Sequence, residues 1–355
     1  MAEQRSTSGR TLDGGLVVAV VGATGAVGEA ILDILSERRF PVARLHALAS
    51  QRSLGQVVRF GERAVSVEDI AAFEFAGVDL ALFSAGASVS EEHAPRAAAS
   101  GCTVVDNTSQ FRYDEAIPLV VPEVNPHWLV GLPPGAIIAN PNCSTIQMVV
   151  ALKPIHDAAT LTRVNVATYQ AVSGSGREAM EELAGQTAAL LNGRPAEPRV
   201  YPRQIAFNAL PHIDRFMDNG YTREEMKMVW ESRKILELPE LAVNATAVRI
   251  PVFHGHSEAI HLETERPLSA DQARELLSSA PGVHVVDGRA DGAYPTPVTE
   301  AANHDAVFVG RIRGDISHPR GLNLWVVADN LRKGAALNSI QIAERLLANG
   351  HWACD

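Results

Sequence analysis

LVVAVVGATGAVGEAILDILSER, residues 16–38, decides the fold. Leu16 to Val21 is an uninterrupted apolar run and predicts a buried strand. GATGAVG follows at residues 22–28, and residues 29–38 read as a helix. Strand, glycine turn and helix form the first unit of a dinucleotide-binding fold. Gly22 and Gly25 allow a tight turn and let a pyrophosphate approach the helix start, where N–H groups face the anion. The spacing is GxxGxxG rather than GxGxxG. Its placement, after a buried strand and at the head of a helix, is what gives it weight.

The following units extend this sheet. Residues 43–49 predict the next strand, whose end should meet the adenosine ribose. An NAD site usually offers a carboxylate there. This chain offers SQRSLG at residues 50–55, in which Arg52 can pair with a 2′-phosphate and Ser50 and Ser53 can donate to it. The reading is NADP over NAD. Residues 78–83 are a further strand ending in SAGAS, residues 84–88, so Ser84 should line the cofactor cleft at the carboxyl edge of the sheet. Residues 88–99 read as a helix. Residues 103–105 form a strand that delivers DNTSQFR, residues 106–112, to the same edge, with Arg112 a candidate anion ligand. Residues 119–121 and 136–139 complete the predicted sheet.

GAIIANPNCSTIQMVV, residues 135–150, is the second pivot. Asn140-Pro141-Asn142 stops the strand, and residues 144–150 look helical. Cys143 therefore sits where a strand ends and a helix begins. Unpaired N–H groups at a helix start favour a thiolate and predict a lowered thiol pKa. The plain alternative is a small buried hydrophobe beside a turn.

Composition sets the bounds. The 355 residues are enough for two domains. A net charge of −10, with scattered lysines and arginines, argues against nucleic acid or an acidic membrane surface as partner. No apolar run approaches the roughly 20 residues of a membrane span. Residues 1–15 are polar and Gly-rich, without a signal-peptide core, and are expected to be a disordered tail on a cytoplasmic protein. Three cysteines (Cys102, Cys143, Cys354) suit neither a disulfide framework nor a zinc site. His254 and His256 form an HxH pair, but no third ligand stands at a recognisable spacing, so no metal is expected.

Beyond residue 150 the texture changes. Residues 163–172 are β-like and lead into SGSG, residues 173–176, and a helix over 177–191. Residues 192–211 are a Pro-rich excursion. Residues 222–238 read as a helix capped by Thr222 with Glu225 three residues on. Residues 242–252 and 257–265 read as strands of an antiparallel sheet, residues 269–279 as a helix, and 306–313 and 322–328 as strands. The helix over 333–348 should pack back against the first domain. The expected fold is α/β. A Rossmann-type doubly wound parallel sheet, residues 16–142 plus 330–355, joins an α+β domain, residues 143–329, with a mostly antiparallel sheet.

In order, these stretches closely resemble aspartate-semialdehyde dehydrogenases of the bacterial type. The motifs are GATGAVG, ASQRSLG (residues 49–55), FSAGASVS (83–90), DNTSQFR, NPNCSTIQ (140–147), TYQAVSGSG (168–176), EEMKMVWES (224–232), RIPVFHGHSEA (249–259) and DNLRKGAA (329–336). NPNCST and RIPV…HSEA are far more specific than the glycine turn. The resemblance implies that β-aspartyl phosphate and NADPH interconvert with aspartate β-semialdehyde, NADP and phosphate. This is the branch to lysine and diaminopimelate, threonine, methionine and isoleucine. It implies Cys143 as nucleophile, His256 as acid/base and Gln170 as the group orienting the acyl-enzyme. It further implies Arg249 on the substrate carboxylate, Glu224 on its amino group, and Arg112 and Lys227 on phosphate. Thr24, Gly25, Ala26, Val27, Arg52, Ser53, Ser173, Gly174 and Asn330 would line the NADP site. A homodimer or homotetramer is implied, with the α+β domain as catalytic and dimerisation unit. The nearest rival, an N-acetyl-glutamyl-phosphate reductase, commonly has glycine before its nucleophile, where this chain has Asn142.

The chemistry asks for the same residue types. An acyl phosphate needs a soft nucleophile, because the resulting thioester accepts hydride and a carboxylate does not. A group titrating near neutrality must move the proton, which suits histidine. A substrate with a carboxylate and a phosphate needs two anion sites.

Overall fold

The computed structural model describes residues 14–353; most of the polar N-terminal stretch and Cys354 lie outside the described residues. The first sheet contains β1 (Leu16–Val21), β2 (Val42–Ala49), β3 (Val57–Phe60), β4 (Arg63–Asp69), β5 (Leu80–Phe83), β6 (Thr103–Asp106) and β7 (Ile137–Ala139), in the order 3-4-2-1-5-6-7. All neighbours are parallel except β3 and β4, an antiparallel hairpin at the edge that the sequence reading did not predict. From β1 the order runs to β2 on one side and to β5 on the other. The loops after β1 and β5 therefore face each other across the switch point where open α/β sheets bind ligands. Helices α1 (Ala26–Glu37) and α2 (Ala87–Ala99) start from those loops.

The predicted strand over 119–121 is corrected to a single bridge, Leu119 to Ala139. The Asn125 side chain takes the ladder positions instead, accepting from Val121 N (2.9 Å) and donating to Leu119 O (2.9 Å).

Helix α3 (Cys143–Ala159) leaves the first sheet and is buried along most of its length. It carries the core of the second half, packing on β8 (Leu161–Gln170), β10 (His256–Thr264), β12 (Val307–Gly314) and β13 (Gly321–Ala328). With β9 (Ala242–Arg249) and β11 (Val283–Val285) these form a second sheet, ordered 11-12-13-10-8-9. Its three inner pairs are antiparallel and its two outer pairs parallel. Residues 242–252 and 257–265, expected as strands of an antiparallel sheet, both supply strands of this one, but β9 pairs in parallel. β9 lies parallel to β8, and β10 lies on the other side of β8. A parallel pair needs a long crossover. Helices α4 (Arg177–Leu191) and α5 (Arg223–Ile235) supply it.

Helix α5 opens on the predicted capping box: Glu225 N donates to Thr222 Oγ1 (3.3 Å) and Thr222 N to Glu225 Oε2 (2.7 Å). Helix α6 (Ala270–Ser279) opens on a second box at Ser269. Helix α7 (Leu337–Ala348) starts later than expected, after a wide π-type turn over Arg332–Ala336, and packs Leu337, Ile340, Ala343 and Leu346 into the core of the first sheet. No described helix is long and apolar enough to cross a membrane.

Candidate active site

The turn after β7 makes Asn142 the cap of α3. Its Oδ1 accepts from Ser144 N (3.1 Å) and Thr145 N (3.4 Å). Cys143 is thus the first residue of the helix, with its own N–H outside the cap. Asn142 is itself held from α5, donating from Nδ2 to Glu224 Oε1 (2.9 Å) and from its backbone N–H to Glu231 Oε2 (2.6 Å).

Cys143 opens on a cavity of about 300 Å³ that also gathers Arg112, Gln170, Gly174, Asp214, Glu224, Lys227 and Arg249. Every predicted substrate residue is there. Arg249 ends β9 and is buried; Nη1 donates to Ala171 O (2.6 Å), and Nε has no partner. Arg112 is also buried; Nη1 donates to Glu231 Oε1 (3.0 Å), Nη2 to Asn107 O (2.8 Å), and Nε again has no partner. Two buried guanidinium groups with spare donors suit a ligand with two anionic ends.

The cations are matched by carboxylates. Lys227 Nζ bonds Glu224 Oε2 (2.9 Å) and Asp214 Oδ2 (2.9 Å). These pairs use two of the three ammonium donors, and the third is left for a phosphate. Burial would raise the Glu224 pKa, but Lys227, Asn142 and Arg249 outweigh it and hold the carboxyl at about 2. Glu224 is ionised and available to an ammonium.

The thiol reverses its expectation. Burial, aided by the Glu224 charge, pushes Cys143 up to about 12 against the pull of Arg249, Arg112 and Lys227. The helix start alone does not offset that burial.

His256, the first residue of β10, is fully buried, and burial and Arg249 hold it down at about 3. Its Nδ1 accepts from Ala171 N (3.0 Å), so the neutral ring carries its proton on Nε2. Gln170 Nε2 lies 3.4 Å from that nitrogen and donates to Glu224 Oε1 (3.2 Å). In this state His256 is a donor. Its one lone pair, on Nδ1, is taken by the Ala171 N–H and is not free for the thiol proton. His254 is exposed, so the HxH pair does not converge; no group of three metal-ligating side chains occurs among the described residues.

The cofactor side has the features of a pyrophosphate cradle. Gly22 has φ +86°, and a Cβ there would fall 2.9 Å from Ala85 N; one on Gly28 would fall 2.1 Å from Gly22 O. Helix α1 starts at Gly25-Ala26 with no side-chain cap, leaving its first N–H groups, including those of Ala26 and Val27, to an anion. Thr24 Oγ1 lies 3.4 Å from Ser53 Oγ, and Arg52 is exposed beside them. Ser84 Oγ is turned back onto Val21 O (2.9 Å). Ser173 and Asn330 are buried and bonded to each other, and Asn330 Oδ1 also takes Gly255 N (2.9 Å). They brace the loop at Gly174, where a Cβ would lie 3.2 Å from Arg249 Nη1 and 3.4 Å from His256 Nε2. A nicotinamide cofactor fits this donor set.

Glu231 and Asp214 escaped the sequence reading. Glu231 stands seven residues after Glu224, two turns on along one helix face, which was a legible spacing. Asp214 left no signal; its φ of +66° is a tertiary feature.

A dinucleotide-binding sheet joined to a cysteine pocket rich in arginine defines a nicotinamide-dependent dehydrogenase. Two family models match: "Semialdehyde dehydrogenase, NAD binding domain" over residues 17–131 and "Semialdehyde dehydrogenase, dimerisation domain" over 152–333. The chain is 63% identical over 331 residues to the aspartate-semialdehyde dehydrogenase of Legionella pneumophila, covering 93% of this chain and 95% of that one. Its fold matches the crystal structure of aspartate semialdehyde dehydrogenase II complexed with ASA from Vibrio cholerae, with TM-score 0.92, 55% identity, and 94% and 98% of the two chains covered. It also matches aspartate semialdehyde dehydrogenase with NADP from Candida albicans, with TM-score 0.75, 26% identity, and 95% and 99% covered. The chain belongs to the aspartate-semialdehyde dehydrogenase family.

Proposed function

We propose that the chain reduces L-aspartyl-4-phosphate to L-aspartate 4-semialdehyde with NADPH, releasing phosphate, on the route to lysine and diaminopimelate, threonine, methionine and isoleucine. The observation that carries this reading is the cavity itself. Cys143 at a helix start shares one space with two buried, partly unpartnered arginines and an ionised Glu224. That set matches an acyl phosphate bearing a carboxylate and an ammonium.

The substrate carboxylate pairs with Arg249 and its ammonium with Glu224, while Arg112 and Lys227 take the phosphate. Pairing Glu224 with an ammonium removes the carboxylate that raises the thiol pKa. The Cys143 sulfur attacks the acyl carbon, the C–O bond to phosphate breaks, the departing phosphate carries away the thiol proton, and a thioester remains. Its oxygen is met by the Cys143 N–H and the His256 Nε2–H, and Gln170 keeps the acyl group oriented. The nicotinamide, when bound, supplies the hydride. Collapse of the thiohemiacetal releases the aldehyde and returns the sulfur.

The absence of a carboxylate in SQRSLG, with Arg52 exposed beside Ser53 and Thr24, favours NADP. Gly22, Gly25, Ala26 and Val27 would cradle the pyrophosphate, and Ser84, Ser173, Gly174 and Asn330 the nicotinamide end. In this reading residues 16–142 plus 330–355 bind cofactor, residues 143–329 carry catalysis and dimerisation, and the enzyme is a homodimer or homotetramer.

The test is phosphate-dependent NADP reduction with aspartate semialdehyde, run beside Cys143→Ala and with NAD in place of NADP. Activity that needs phosphate, prefers NADP and vanishes in the variant supports the reading. Turnover of N-acetylglutamate semialdehyde instead would move the chain to the rival reductase.

A further inference from the structure

Glu231 has no part in the chemistry proposed above, yet it is fully buried beside the site. Its Oε1 accepts from Arg112 Nη1 (3.0 Å) and from the Tyr113 hydroxyl (3.4 Å). Its Oε2 accepts from the Asn142 backbone N–H (2.6 Å). One carboxylate thus joins the guanidinium facing the anion site to the residue that caps the nucleophile's helix. The same face of α5 repeats the grip. Three residues on, Lys234 Nζ donates to the carbonyls of Arg112 (3.1 Å), Asp114 (2.6 Å) and Ile117 (2.9 Å). Two turns back, Glu224 Oε1 accepts from Asn142 Nδ2 (2.9 Å).

A continuous helix is stiff, so these contacts tie the Arg112 loop and the first turn of α3 to one bar. Arg112 lines the same cavity as Cys143, so an anion arriving there acts on a guanidinium that Glu231 already orients.

We infer that Glu231 is a positioning residue that couples the phosphate site to the nucleophile, setting Arg112 through one oxygen and Asn142-Cys143 through the other. Glu231→Gln removes the charge and keeps the shape. The assignment of phosphate to Arg112 rests on the proposed reaction, so two readouts are taken on the full chain. One is the phosphate KM against kcat in aspartate semialdehyde oxidation. The other is alkylation of Cys143 by iodoacetamide with and without inorganic phosphate, which needs no turnover.

The expected result is a phosphate KM raised about tenfold, within the range of coupling between residues in direct contact, with the NADP KM unchanged. Phosphate should change the alkylation rate in the wild type and not in E231Q. In an Arg112→Lys background the E231Q effect on phosphate KM should largely disappear. A folded E231Q with wild-type phosphate KM and alkylation response overturns the inference, and so does strict additivity with Arg112→Lys. Should E231Q fail to fold, Glu231→Asp keeps the charge but loses the reach to one partner, and it is judged by the same outcomes. A wild type that turns over no aspartate semialdehyde sinks the reaction, while the alkylation arm still decides the coupling.

Discussion

Gly334 is pressed against Cys143: a Cβ on Gly334 would fall 2.7 Å from the Cys143 Cβ and 3.3 Å from its Cα. The turn that carries it lies almost two hundred residues along the chain from Cys143. Gly334 has no left-handed φ, so its requirement is space alone. Gly334→Ala should shift the first turn of α3 and lower kcat by about a hundredfold, as misplacement by about an ångström does. Its NADP KM should change little. Steady-state kinetics checks this; a wild-type kcat would show that the contact yields freely.

Burial and the Glu224 charge push the Cys143 thiol up to about 12. Iodoacetamide should therefore label Cys143 slowly at neutral pH, with the rate climbing beyond pH 9. Glu224→Gln removes the raising charge and should speed labelling at pH 8 several-fold while impairing turnover. Slower labelling in that variant would contradict the electrostatic assignment.

Acid should destabilise the protein in two stages. His256 is held neutral down to about 3 in the fold, against 6.5 ordinarily. Between those values the unfolded chain binds a proton that the fold refuses. Stability is therefore complete above about pH 6.5 and falls as pH drops toward 3. Glu224, held ionised down to about 2 against 4.5, contributes above pH 4.5 and is lost as pH falls toward 2. His256→Asn should flatten the melting-temperature profile between pH 6.5 and 4.5 and leave the lower limb. Calorimetry across pH 8 to 4 reads this directly, and an unchanged upper limb would refute it.

Asn142 caps α3 and fills acceptors on Glu224 and Glu231. Asn142→Ala loses the side-chain cap and strips one donor from Glu224. The cap alone is worth about 1 kcal/mol, and the buried carboxylate left short of a donor adds about 1–3 kcal/mol. Denaturant unfolding should show a loss of that size, with kcat reduced as well. A loss below about 0.5 kcal/mol would mean that water replaces the amide.

Arg52 is exposed at the end of the β2 loop. Arg52→Glu should raise the NADP KM about tenfold or more, as expected for loss of a charge-assisted contact, and narrow the gap to NAD. Equal KM values in variant and wild type would place the 2′-phosphate elsewhere.

Much of this molecule was legible in advance. β1 over Leu16–Val21 and α4 over Arg177–Leu191 fall at their predicted bounds, and Thr222 forms the predicted box with Glu225. Cys143, Gln170, Arg112, Glu224, Lys227 and Arg249, singled out from separate motifs, line one cavity. The hairpin of β3 and β4 was missed because its strands are short and half exposed, with little apolar run to mark them. The apolar run over 119–121 makes only a single bridge to β7, because Val121 N and Leu119 O are taken by the Asn125 side chain.

The sequence by itself determined the strand, glycine turn and helix at residues 16–38, the capping box at Thr222, and the cysteine at a strand-to-helix junction. Each is set by chemistry within a few residues. Only the tertiary structure decided that β9 lies beside β8, that Glu231 ties Arg112 to Asn142, and that Gly334 seats Cys143. It also decided protonation: a raised thiol at Cys143 and a neutral, Nε2-protonated His256. Desolvation and charge act through space, so the groups that set those states come from distant parts of the chain.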